Sequence, residues 1–287
     1  MTPVLAAVLR IGVLALFRPE VMVVRPAPGY ALEIEADEWR TVLEGSQSLR
    51  VYASGDSVEI AAKRRRIAAG ALRASPRRAG EFVIAVPGKI ERRYRGDLEI
   101  TAQGGVLIAV VGMARETAVA SAVAAESQPG TPVAALMAQA VVTRSYYTAA
   151  HARHSGFDFC DTTHCQFLRE PPPPDAPASK AARRTQGQIL TWHGAPVATL
   201  FSASCGGRTR MLASPGPDEY PYFAIDCPYC RRGPRTRCSY CDPHRAGAGH
   251  GFGLCQTGAK GMAAAGAGFR EILDRYFPNT ELTASLP

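Results

Sequence analysis

The chain has 287 residues, 46% hydrophobic and 20% charged, proportions that fit a folded globular protein and exclude a disordered one. Lysine and arginine outnumber the acids 33 to 25, giving a net charge of +8. That sign suits an anionic partner but does not choose between nucleic acid, membrane surface and acidic wall polymer. No apolar run reaches the roughly 18 residues that a transmembrane helix needs.

The opening TPVLAAVLRIGVLALFRPE interrupts its apolar run with Arg10 and has no basic lead. It is expected to form a first strand from Arg10 to Phe17, not a secretory leader. Residues 1–115 are expected to be β-rich, with short β-branched runs at 21–25, 49–53, 82–86 and 106–111 separated by Gly, Pro and Asp. Within them RVYASGDSVEI predicts two strands about a Gly-Asp turn. The basic clusters KRRR (63–66) and RR (77–78) are expected on solvated faces. No catalytic constellation falls in this part.

The character changes at Arg115. RETAVASAVAAE is Ala-rich, with Val119 and Val123 four residues apart, and predicts a helix ending at Glu126. SQPGTP breaks it, and Pro132 opens a second, largely apolar helix, PVAALMAQAVVTRSYYTAAHARH. A stiff PPPPDAPAS connector precedes a short helix in ASKAARRTQGQ and a hairpin about His193-Gly194. After the Gly-Gly turn of SCGGRT and a Pro/Gly-rich loop come a glycine-dense GHGFG around His250, an Ala-rich helix, and an amphipathic helix ending before Pro278.

Two groups of residues carry metal-like chemistry. HSGFDFCDTTHC offers His154, Cys160, His164 and Cys165 in one short stretch, two imidazoles and two thiols in a segment with turn chemistry. The alternatives are a Cys160–Cys165 disulfide or two incidental thiols. Further on, CPYC and CSYC supply Cys227, Cys230, Cys238 and Cys241, the pattern of a four-thiolate zinc knuckle, with two disulfides as the alternative. Glu126 is a further candidate: at the end of an apolar helix a carboxylate is partly desolvated, which raises its pKa toward general-acid range.

Taken in order, AVASAVAAES, ALMAQAVVTRSYY, FDFCDTTHCQ, TQGQILTWHGAPVATLFSASCGGRT, GHGFGLCQTGAKGMAAAG and EILDRYFPNTEL resemble the stage II sporulation protein D/amidase-enhancer family. The resemblance covers about residues 110–285. It implies a peptidoglycan lytic transglycosylase acting on glycan strands stripped of stem peptides, with Glu126 as the catalytic acid and base. It implies Zn2+ held by His154, Cys160, His164 and Cys165; a second ion at Cys227, Cys230, Cys238 and Cys241 is expected from the two C-x2-C pairs alone, outside the family pattern. Gln139, Arg144, Ser202, Gly206, Thr209, His250 and Gln256 are the expected lining of the sugar cleft. The location implied is the cell envelope, and a wall amidase is an implied partner.

Two positions depart from the family pattern. Glu126-Ser127-Gln128-Pro129 stands where Glu-Met-Pro is usual, and Cys255 replaces a serine in GHGFGLCQ. With Cys205 in the preceding motif, a Cys205–Cys255 pairing is expected where the two segments converge. The expected architecture is α+β: a β-rich part, 1–115, and a catalytic region, 116–287, expected to be one continuous unit with it and to carry Glu126 on a helical insertion. The rival functions are a non-catalytic, wall-binding amidase activator and a zinc-stabilised nucleic-acid binder. The second is disfavoured because aromatic and basic residues do not alternate as a nucleic-acid platform requires.

Overall fold

A computed structural model describes residues 7–62, 65–78, 80–150, 154–212, 215–216, 219–230 and 249–284. The chain divides into two compact units, one of residues 1–118 and 152–171, the other of 119–151 and 172–287.

The first unit is built from β1 (Val8–Val13), β2 (Val21–Pro26), β3 (Ala31–Ala36), β4 (Trp39–Glu44), β5 (Leu49–Ser54), β6 (Ser57–Ala62) and β7 (Arg65–Ala69). To these it adds β8 (Leu72–Pro76), β9 (Glu81–Val86), β10 (Ile90–Arg95), β11 (Asp97–Gln103), β12 (Val106–Ala114) and β13 (Phe159–Cys160). They form a seven-stranded sheet, β13-β1-β12-β11-β8-β3-β4, and a six-stranded one, β10-β9-β2-β5-β6-β7. Period-two patterning drives both. In β3 Leu32, Ile34 and Ala36 are buried while Glu33 and Glu35 face solvent, and in β11 Leu98, Ile100 and Ala102 point inward. The Gly-Asp turn between β5 and β6 is as expected, with Gly55 at φ 61°.

The first strand ends earlier than its apolar run. Leu14 sits at φ 61°, and Ala15–Phe17 form a 3-10 turn. The amide of Leu14 donates to Asp161 at 3.1 Å, a partner 147 residues away that no local pattern reveals. Residues 152–171, expected with the catalytic region, return to this unit instead. Ile11 and Gly12 pair in parallel with Phe159 and Cys160, and Asp161 donates its amide to Gly12.

The second unit is mixed. α1 (Arg115–Glu126) leads into it, followed by α2 (Val133–Ala149), α3 (Pro177–Arg184), β14 (Gln188–Trp192), β15 (Ala195–Pro196) and β16 (Phe201–Ser202). Then come β17 (Leu254–Cys255), α4 (Gln256–Ala264), α5 (Phe269–Tyr276) and β18 (Glu281–Ala284). β15, β14 and β18 form one sheet, and β16 pairs in parallel with β17. α2 is the spine: Ala138 through Tyr147 are all buried, packed with Leu190, Leu254, Ile272, Leu273 and Phe277 among others. The chain is thus strand-rich with a few helices. Among the described residues no helix is long and apolar enough to cross a membrane.

Candidate active site and metal centres

Glu126 is the last residue of α1 and lines a cavity of about 220 Å³ in the second unit. The break after it, Ser127-Gln128, forms part of the wall, as do Gln139 from α2 and Gln256 and Lys260 from α4. The Gln256 side-chain amide donates to the Glu126 carbonyl at 3.1 Å, which fixes the end of α1 against the start of α4. Ser127 donates its hydroxyl to Gln139 Oε1 at 3.2 Å. Gln139 is 3% exposed, and its Nε2 has no hydrogen-bond partner. A buried amide donor without a partner costs on the order of 1–3 kcal/mol, so a ligand hydroxyl or carbonyl in this cavity would be bound with that desolvation already incurred.

Of the expected cleft residues, only Gln139 and Gln256 join Glu126 in that wall. Arg144 does not: it is fully buried in α2, and its guanidinium donates to the carbonyls of Gln188 at 3.0 Å, Ala182 at 3.1 Å and Ala140 at 3.4 Å. Its neighbour Ser145 accepts from the amide of Leu190 at 2.8 Å, so the Arg-Ser step of the helix motif ties α2 to β14 and α3. Thr209 is spent on the backbone, donating to the Phe223 carbonyl and accepting from the Ile225 amide. Ser202 is buried in β16 with an unpartnered hydroxyl, Gly206 makes its turn at φ 74°, and His250 is exposed with Nδ1 accepting from the Phe252 amide. Gly253 lies at φ 65°, where a Cβ would collide with the Leu200 carbonyl, which accounts for the last glycine of GHGFG. Lys260 was missed by sequence reasoning. It follows Gln256 by four residues on α4, a spacing that shares one helix face and offered a signal.

The first metal-like group is assembled as its spacing suggested. The donor atoms of His154, Cys160, His164 and Cys165 all lie within 4.8 Å of one another. His154 Nε2 is 3.2 Å from Cys165 Sγ, and His164 Nδ1 is 3.6 Å from Cys165 Sγ and 3.8 Å from Cys160 Sγ. Tetrahedral coordination at ordinary zinc–ligand lengths implies sulfur–nitrogen edges of about 3.6 Å, so these residues fit such an ion. The loop is held to β1 by reciprocal contacts: Arg10 and Asp158 exchange amide hydrogen bonds at 2.8 Å. Phe157 stacks on the His154 ring at 4.6 Å and occupies the space left by Gly12, where a Cβ would come within 2.6 Å of the phenyl ring. Behind the ligands, the Asp161 carboxylate meets Arg92 at 3.0 Å. Burial raises its pKa above the usual carboxylate value, outweighing the opposing Leu14 amide and Arg92 charge.

The second group differs from the expected knuckle. Cys227 and Cys230 are joined by Cys205 and Cys255, whose sulfurs again lie within 4.8 Å of one another, while Cys238 and Cys241 lie outside the described residues. The expected Cys205–Cys255 pairing is replaced by a four-sulfur cluster. Among the described residues no two cysteines are joined as a disulfide. Cys230 Sγ is 3.0 Å from Cys255 Sγ and 3.4 Å from Cys227 Sγ. Hydrogen bonding to Cys205 lowers the Cys227 thiol to about 7 and lowers Cys230 as well, while Cys205 is raised chiefly by Cys227 and Cys255 by Cys205.

Residues 103–192 match the family model described as "Stage II sporulation protein", SpoIID. That stretch, which holds α1, Glu126, α2 and the His/Cys loop, is similar to the stage II sporulation protein D family. The chain is also 30% identical over 139 residues to an uncharacterized protein of Brachyspira hyodysenteriae. That alignment covers 47% of this chain and 36% of the relative, so the chain spans about a third of the protein it matches.

Proposed function

We propose that this protein is a peptidoglycan lytic transglycosylase that cuts peptide-denuded glycan strands between N-acetylmuramic acid and N-acetylglucosamine, using Glu126 as its only catalytic carboxylate. The observation that carries the reading is Glu126 at a cavity wall beside the unpartnered Gln139 amide, with its own carbonyl held by Gln256. The similarity of residues 103–192 to the sporulation D family supports the cell wall as the place of action.

The chemistry needs one carboxyl group. As an acid, Glu126 gives its proton to the glycosidic oxygen as the bond to the muramoyl C1 breaks. As a carboxylate, it then takes the proton of the muramoyl 6-hydroxyl while that oxygen bonds to C1 and closes the 1,6-anhydro ring. No water enters, so the second carboxylate of a paired glycosidase is not required. A cavity of about 220 Å³ is small beside the roughly 300–1,000 Å³ of sites that enclose a whole ligand, which suits one ring of a polymer lying outside it. Gln139 is placed to donate to that ring, and Lys260 adds a positive charge suited to the muramoyl lactyl carboxylate.

We assign zinc to His154, Cys160, His164 and Cys165, the mixed thiolate and imidazole set that this ion favours. Held by four protein ligands, such an ion would stiffen the loop rather than enter the reaction. The reaction is tested by digesting denuded strands with wild type and Glu126→Gln and reading the products by mass spectrometry. Anhydromuramoyl ends from wild type, lost in the variant, support the reading. Strands bound but uncut by wild type would favour an amidase activator.

A further inference from the structure

The cysteines of the second unit come from three separate places in the chain. Cys205 follows β16, Cys227 and Cys230 flank a 3-10 turn at Pro228–Cys230, and Cys255 ends β17 at the head of α4. All four are buried, none more than 5% exposed. A buried free cysteine behaves as a small apolar residue and has no reason to seek others. Four converging on one point do need a reason. Sulfurs around a tetrahedral ion at about 2.3 Å would sit about 3.8 Å apart. Here no pair exceeds 4.8 Å, and Cys230 lies 3.0 Å from Cys255 and 3.4 Å from Cys227.

The surroundings offer hydrogen-bond donors to the sulfurs. Cys255 Sγ accepts the amides of Cys205 and Gly258, each at 3.3 Å, and so caps the N-terminus of α4, where the helix dipole favours negative charge. The Tyr276 hydroxyl of α5 lies 3.2 Å from Cys227 Sγ. Gly258 and Gly261, neighbours on one face of α4, make room for the turn. A Cβ at Gly258 would come within 2.5 Å of Cys227 Sγ and collide with the Tyr276 hydroxyl, and one at Gly261 would strike the Tyr229 ring.

We propose that Cys205, Cys227, Cys230 and Cys255 bind one zinc ion as a closed, all-thiolate structural centre, separate from the His/Cys centre of residues 154–165. Each cysteine binds as thiolate after releasing its proton to solvent. The ion joins the segment after β16, the 227–230 turn and the start of α4. Because Gln256 directly follows Cys255 and holds the Glu126 carbonyl, the same ion sets the position of the cavity wall.

The test is a metal count on the full chain, purified under reducing conditions with zinc present. Wild type is expected to carry two ions. Cys227→Ser should carry one, His154→Ala/His164→Ala one, and Cys238→Ser/Cys241→Ser still two. Should Cys227→Ser fail to fold, zinc X-ray absorption on wild type answers the same question, with six sulfurs and two nitrogens expected over the two ions. A single ion with two sulfurs and two nitrogens, or loss of an ion in Cys238→Ser/Cys241→Ser, would overturn the proposal. The count requires no substrate, so it stands or falls apart from the glycan reading.

Discussion

The two units are stabilised in different ways. The first is a pair of regular sheets with an apolar interior, tethered at one place by the His/Cys loop and the buried Arg92–Asp161 pair, and most of its other ion pairs, such as Arg77–Glu33 and Arg40–Glu35, lie on the surface. The second has short strands and helices held by buried polar groups: Arg144 on three carbonyls, Ser145 on Leu190, Thr199 on Val142, and a cluster of four thiols. Stability spread over many apolar contacts tolerates local change. Stability concentrated in a few buried tethers does not, but it can hold irregular loops in a set geometry, which a catalytic wall requires.

Substitutions test that contrast and can be read separately in each unit, because Trp39 lies in the first and Trp192 in the second. The largest effect is expected from Cys160→Ser or His164→Ala. Each should lose the first metal ion and, with it, a linkage worth about 4 kcal/mol when free ion exceeds Kd about a thousandfold. A lower Tm reported by Trp39, with metal loss in elemental analysis, is the expected result. Unchanged metal content in both variants would remove that centre. Next, Arg144→Met should strand carbonyls in the second unit and cost about 3 kcal/mol, seen as an earlier urea midpoint from Trp192 fluorescence. Were Arg144 instead a sugar ligand, the midpoint would hold and only activity would fall.

A smaller effect is expected at Gln256. Its replacement by Ala removes one hydrogen bond to the Glu126 backbone, worth about 1 kcal/mol, so glycan cleavage should fall about five- to tenfold with the fold intact. The smallest is Glu33→Gln in the first unit. Its partner Arg77 is exposed, and the Trp39 unfolding midpoint should not move measurably.

Local order was legible in the sequence where the chemistry is local. The Ala-rich run to Glu126, the helix opened by Pro132 and the turn at His193-Gly194 all sit where spacing and turn residues place them, with His193 at φ 50° and Gly194 at φ 77°. The His/Cys loop was legible because its four donors lie in one short segment. What escaped depends on distant partners. The early end of β1 follows from Leu14 bonding Asp161, and the Cys227–Cys230 pair is joined by Cys205 and Cys255, each more than twenty residues away in sequence. Arg144 stood in a motif, and nothing in that motif told a buried tether from a cleft residue. The hairpin of β3 and β4 was a different omission, since the alternation of Leu32, Ile34 and Ala36 with Glu33 and Glu35 was there to be read.

In the proposed reaction Glu126 works alone and water takes no part in the cut. Digesting denuded strands in water enriched in heavy oxygen tests it directly, with the label followed by mass spectrometry. Muramoyl ends that are anhydro and carry no label are the predicted result. Labelled reducing ends would contradict it, because they require an activated water and therefore a second base.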